Sequence, residues 1–242
     1  MEPWQEWLIL AVMATLSAFV GSVAGSGGST ILLPILVLFY GIRDAIPIIT
    51  IANLSANISR AVLNRGEIVL PVAGWFTLGA VPLVVLGAWL FTLADPGPLT
   101  RALGALLLGL LCWRRLRPRP PRPGGVRWFA PLGALFGFLE GVLGHVGPLM
   151  APFFLAQGLL KGAYIGTDAL ATVAMQGTKL AVFGAAELLD GWRITAGLLL
   201  VPFMVLGTIL GKVLTDRLPA HVFVWLIEGV ILLAGLNFLL RG

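Results

Sequence analysis

Residues 21–34 read GSVAGSGGSTILLP, and the reading of this stretch decides the fold. Four glycines, three serines, a threonine and a proline stand between the apolar runs on either side. Lipid offers no water to an open backbone, so such an interruption is tolerated only where protein buries it or it lines a cavity. Bare glycine N–H groups and short hydroxyls ahead of a helix start suit an anion, because the first turn carries unpaired donors and the positive dipole end. A second glycine-rich stretch, GVLGHVGPLMAP from Gly141 to Pro152, lies in the other half of the chain. Two interruptions at corresponding places of two halves point to a transporter's substrate site.

Composition agrees with a lipid setting. Of 242 residues, 58% are hydrophobic and only 11% charged, whereas a soluble domain carries about 25% charged residues. The mean hydropathy is +0.98. The opening MEPWQEWLILAVMATLSAFV has no basic leader region and carries Glu2 and Glu6, so it reads as a first membrane segment and not as a cleaved signal. Cys112 is the single cysteine, which rules out an intrachain disulfide and a thiolate metal cluster. The net charge of +5 does not point to nucleic acid, because most of the excess sits in one tract between apolar runs.

Apolar runs are expected at 7–24, 27–41, 45–64, 69–93 and 99–113, then at 128–143, 147–160, 163–183, 194–214 and 220–240. The second and seventh are shorter than the roughly 20 residues of a spanning helix, so they are either short tilted spans or re-entrant. Between the halves lies RRLRPRPPRPGGVR, Arg114 to Arg127. Its prolines forbid a helix and its arginines forbid burial, which makes it a cytoplasmic linker rather than a nucleic-acid or lipid-recognition element. With every run spanning, Arg60, Arg65, Lys161, Lys212 and Arg217 fall on the linker's side. Together with the six linker arginines these make 11 of the 16 basic residues.

The halves repeat. VPLVVLGAWL (Val81 to Leu90) and VPFMVLGTIL (Val201 to Leu210) match without a gap at six of ten places. Glu67 and Glu187 correspond at the same offset, and Thr50 and Ala52 line up with Thr167 and Ala169 across a small gap. Five segments per half is an odd number, so the second copy enters the membrane from the opposite side. The expected fold is therefore an all-α polytopic membrane protein, two inverted repeats of about five hydrophobic segments each with glycine-rich helix breaks. Its divisions are 1–113, a linker at 114–127, and 128–242.

Polar residues inside the runs are the candidate site. Asn53, Asn57 and Arg60 share one helical face, and Asp168, Thr172, Gln176 and Lys179 share a face of the corresponding run. Arg60 either serves that site or snorkels to the cytoplasmic surface; Lys179, deeper in its run, reads as functional. Glu140, just before the second glycine stretch, either exchanges protons during transport or balances Lys179 or Arg60. His145 is a candidate hydrogen-bond donor or titrating group. His221, Asp190, Arg193 and Asp216 read as solvated loop residues, and Trp4, Trp7, Trp113 and Trp128 as interfacial anchors.

The stretch GSVAGSGGSTILLPILVLFYGIRDAIPIITIANLSA, with the repeat and the basic linker, resembles the sulfite exporter TauE/SafE family over nearly the whole chain. The resemblance implies a prokaryotic inner-membrane carrier, most often an exporter, of sulfite, organosulfonates or related acids. It places Ser26, Gly27, Gly28 and Ser29 on one side of the site and Gly144, His145 and Gly147 on the other. The second copy departs from the pattern, with His145, Val146 and Pro148 where glycines are usual. Proton-coupling candidates are Glu140 and Asp168. No enzyme, cofactor, metal or nucleic-acid partner is expected; the partners are a small anion, lipid and, where transport is coupled, protons. The alternatives are an anion channel using the same residues and an intramembrane hydrolase with Ser26 or Ser29 as nucleophile and His145 as base.

Overall fold

The computed structural model describes residues 3–24, 29–95, 97–98, 124–144 and 147–217. Helices α1 (Pro3–Ala24), α2 (Ser29–Tyr40), α3 (Ile42–Leu63) and α4 (Leu70–Leu93) form the first set. Helices α5 (Phe129–Leu143), α6 (Gly147–Ala156), α7 (Lys161–Ala185) and α8 (Gly191–Arg217) form the second. Among the described residues there is no strand. The expected runs at 99–113 and 220–240, and linker residues 114–123, lie outside the described residues.

Among the described residues, five helical stretches are long and apolar enough to cross a membrane: α1, α3, α4, α8 and the stretch Val126–Leu143 that includes α5. Helix α7 has the length, at 25 residues, but carries Asp168 and Lys179 on a face buried in protein. Large apolar side chains such as Leu78, Trp89, Leu198, Leu206 and Leu210 point outward, as they would toward acyl chains. Helix α2 has 12 residues and α6 has 10, so at 1.5 Å per residue neither reaches across a hydrocarbon layer of about 30 Å. Each instead doubles back along the helix before it. Tyr40, ending α2, donates its hydroxyl proton to Glu6 near the start of α1. Phe154 of α6 meets Phe129 at the start of α5, and Phe153 meets Phe136 further along.

Contacts fix the directions of the others. Helices α1 and α8 run parallel, with Trp7 against Trp192 at their starts and Thr215 donating to the Ser22 carbonyl at their ends. Helices α4 and α7 run parallel, from the Val69 N–H on the Thr167 hydroxyl to the tilted ring contact of Phe91 and Phe183. Helix α4 also lies alongside α5, and there the backbones touch: a Cβ at Gly137 would collide with the Ala80 carbonyl. Gly207 of α8 stands in the same relation to Thr15 of α1. Small residues are what membrane helices use for such approach, since lipid gives apolar side chains no reason to prefer each other. Helices α3 and α7 run antiparallel through the centre, with Asn64 against Gly166 and Asn57 against Gln176.

One end of the bundle gathers Lys161, Lys212 and Arg127, three of the basic residues assigned to the linker's side. The Glu67 carboxylate sits against Gly162, next to Lys161, and 3.8 Å from Lys212. Arg127, leading into α5, lies over the Trp75 ring near the start of α4 at 5.9 Å. At the opposite end the sequence reading of Arg193 needs correction. Helix α8 begins at Gly191, ahead of its apolar run, and takes Arg193 into its first turn, while Asp190 stands exposed just before the helix. Arg193 bonds the Asp44 carboxylate at 2.6 Å, while its N–H is capped by Asp190 at 2.8 Å. Asp216 likewise lies within α8, bonded to Lys212 at 2.8 Å.

Candidate functional site

The polar faces of α3 and α7 meet at the centre. Amphipathic spacing explains why: their apolar residues pack against α4 and α8, and the amides and charges are left facing each other. Asn53, Asn57, Arg60, Asp168, Thr172, Gln176 and Lys179 are all buried. Asn57 Nδ2 donates to Gln176 Oε1 at 3.0 Å and to its own helix at the Asn53 carbonyl at 2.9 Å. Arg60 Nη2 donates to Asn57 Oδ1 at 2.7 Å, so cation and amides form one continuous network.

The two cations do the same thing in different halves. Arg60 Nη1 donates to the Gly21 carbonyl at 3.0 Å, near the end of α1. Lys179 Nζ donates to the Gly144 carbonyl at 2.8 Å, just past the end of α5. A helix end presents carbonyls without intrahelical partners and the negative pole of its dipole, which a cation satisfies. Gly144 has φ of +86°, which bars α5 from continuing and turns the chain toward α6. Arg60 is thus not a snorkelling residue; it turns inward because the Gly21 carbonyl and Asn57 offer it partners that water would otherwise supply.

Lys179 has a carboxylate beside it. Lys179 and Glu140 form a salt bridge of 3.1 Å, with both side chains almost wholly out of solvent. Glu140 thus balances Lys179, one of the two partners the sequence offered it. Asp168 is buried on α7, the helix packed against α3. Thr172, one turn before Gln176, has a buried hydroxyl with no hydrogen-bond partner among the described residues.

Ser26, Gly27, Gly28 and His145 lie outside the described residues. Ser29 stands at the start of α2, and Gly147 at the start of α6, where it is buried. Thr50 and Thr167, aligned by sequence, do different work: Thr50 bonds back to the Ile46 carbonyl at 2.6 Å, whereas Thr167 receives the Val69 N–H at 2.9 Å. By contrast, Asn57 and Gln176 bond each other, and Arg60 and Lys179 each hold a main-chain carbonyl. Sequence reasoning missed the carbonyls of Gly21 and Gly144, because an acceptor on the main chain leaves no mark in residue type. An apolar recess of about 430 Å³ lies on the flank between α4 and α7, lined by Leu70, Ala73, Gly74, Thr77, Leu78, Leu170 and Ala174. None of the central polar residues lines it, and its walls suit a lipid chain.

The family model described as sulfite exporter TauE/SafE matches residues 9–238, nearly the whole chain. The chain belongs to the TauE/SafE family. No curated protein and no solved structure matches it. Membership makes this a multi-pass membrane protein of a transporter family, and the spanning helices agree. Ionisable groups at membrane depth are costly and are kept for pairing or function, and Arg60, Lys179, Glu140 and Asp168 are buried in this interior.

Proposed function

We propose that this TauE/SafE chain is a secondary carrier that exports a small sulfur-containing anion, sulfite or an organosulfonate, across the cytoplasmic membrane of a prokaryote by alternating access. The carriers of access are two inverted repeats, 1–113 and 128–242, joined by a cytoplasmic linker at 114–127. The inverted reading is supported by direction: α1, α3 and α8 run one way, and α4, α5 and α7 the other. The basic residues gathered at the end where 124–128 leads into α5 support the cytoplasmic placement of that end.

The observation that carries the proposal is the pair of equivalent cations. Arg60 and Lys179 each sit at the end of the first helix of their half, beside the two glycine-rich stretches, and are linked through Asn57 and Gln176. In this reading the starts of α2 and α6, with Ser26 to Ser29 and Gly144 to Gly147, offer backbone donors to the anion. Arg60 and Lys179 hold the opposing helix ends and supply positive charge, and Asn53, Asn57, Thr172 and Gln176 complete the lining. Rocking of one half against the other exposes the centre to each side in turn.

Proteoliposomes loaded with radiolabelled sulfite, methanesulfonate or acetate test this. Saturable flux with counterflow for the sulfur anions is the expected result. No flux of any of them by folded protein removes the reading, and single-channel currents turn it into a channel.

A further inference from the structure

Four charged side chains are buried among the described residues: Arg60, Lys179, Glu140 and Asp168. Among the described residues two buried cations stand with two buried carboxylates, so this part of the interior is formally neutral when ionised, before any substrate arrives. A monoanion entering it leaves one negative charge without compensation in a region where Coulomb interactions are weakly screened. Either the anion stays out, or one carboxylate gives up its charge.

We propose that Glu140 is a tethered counter-ion that a transported anion displaces from Lys179, and that Glu140 takes up a proton as it is displaced. This rests on the transport reading above and adds its coupling ion. The geometry selects Glu140. Its Oε1 lies directly on the Lys179 ammonium at 3.1 Å, and the same ammonium is anchored at 2.8 Å to the Gly144 carbonyl, at the edge of the second glycine-rich stretch. An anion arriving at that stretch meets Lys179 with a carboxylate already in place. The ammonium keeps its three protons throughout. The ion pair with Glu140 opens, a pair with the anion forms, and the carboxylate gains one proton from the aqueous side that admitted the anion. Charge balances: the empty and loaded centres are both neutral.

Among the described residues the surroundings leave few rivals for the proton. Glu140 is the single ionisable residue of α5, and α4, packed along it, carries none from Leu70 to Leu93. Helix α6 has none. Helix α7 contributes Lys179, Asp168 and Tyr164, and α3 contributes Arg60. His145 follows Glu140 by five positions in sequence and enters the test as a control. The consequence for transport is that each monoanion moves with one proton in the same direction. Flux then ignores the membrane potential, and net export runs only while the outward anion gradient exceeds the opposing proton gradient.

Methanesulfonate, a permanent monoanion, is the probe, with purified full-length protein. Calorimetric titration of the wild type in buffers of differing ionisation enthalpy is expected to give uptake of about one proton per anion bound, and none overturns the proposal. In proteoliposomes, a pH difference of about one unit is expected to change the wild-type accumulation ratio about tenfold, while a valinomycin-set potential leaves it unchanged. Glu140→Gln is expected to reverse both responses. Should that variant fail to fold, the wild-type calorimetry decides alone. Coupling lost in His145→Gln or Asp168→Asn but kept in Glu140→Gln overturns the assignment. Saturable flux indifferent to the pH gradient removes the proton step alone, whereas no saturable flux of methanesulfonate or sulfite removes the transport reading with it.

Discussion

Asn57 and Gln176, 119 residues apart, meet side chain to side chain at 3.0 Å in the middle of the protein. Asn57 spends its other polar atom on Arg60, so one amide joins a cation of the first set of helices to an amide of the second. The two halves are therefore coupled through directed bonds where their central helices cross, in a place that apolar packing alone would leave without orientation.

Truncating either amide to alanine should weaken this junction measurably. A double-mutant cycle on Asn57→Ala and Gln176→Ala, read by reversible unfolding in detergent, is expected to give a coupling energy of about 0.5–1.5 kcal/mol. A coupling of zero would mean that the two amides prefer other partners.

Lys179 and Glu140 should show much stronger non-additivity. Lys179→Met or Glu140→Gln alone leaves a buried charge without its partner, at a cost of about 3–5 kcal/mol. The double variant removes both charges and should recover most of that loss. Thermal unfolding of the four proteins checks it, and equal losses in the double and in the sum of the singles would contradict it.

By contrast, the Arg193 and Asp44 pair is partly exposed, at 20% and 31%. Arg193→Gln should lower stability by less than about 1 kcal/mol, because water compensates the broken pair. The same unfolding assay reads this, and a loss as large as that of Lys179→Met would show that the exposed end is no ordinary surface pair.

Backbone contact between helices makes a different prediction. Gly137→Val and Gly207→Val place a side chain where a neighbouring carbonyl already stands, so they should cost more than about 3 kcal/mol or prevent accumulation in the membrane. Gly74→Ala, with open space around its would-be Cβ, should be neutral or stabilise by up to about 1 kcal/mol. Expression yield and unfolding midpoints distinguish them.

Thr172 separates stability from transport. Its buried hydroxyl has no partner among the described residues, so Thr172→Val should leave the protein as stable or more so, given a penalty of about 1–3 kcal/mol for an unmet group. If that hydroxyl meets the anion, KM for the sulfur anion should rise about tenfold while the maximal rate changes little. An unchanged KM would remove Thr172 from the lining.

How much of this was readable beforehand differs from residue to residue. Hydropathy alone located the helices that became α1, α3, α4, α5, α7 and α8, because excluding polar groups from lipid leaves long apolar runs with few alternatives. Helical spacing likewise put Asn53, Asn57 and Arg60 on one face, and Asp168 to Lys179 on another, since that periodicity is local. The match of 81–90 with 201–210 is the sequence ground for the proposed repetition of the halves.

Tertiary structure alone decided what those faces touch. That Arg60 turns to Gly21 and Lys179 to Gly144 follows from where α1 and α5 end in space. That Glu140 chooses Lys179, and that Arg193 leaves its apparent loop for Asp44, follows from which helices lie side by side. The physical reason is the same in each case. Burial tells a charged group that it needs a partner, and composition reveals the burial, but the partner is whichever acceptor the packing of distant helices brings within about 3 Å, and main-chain carbonyls are identical in every residue.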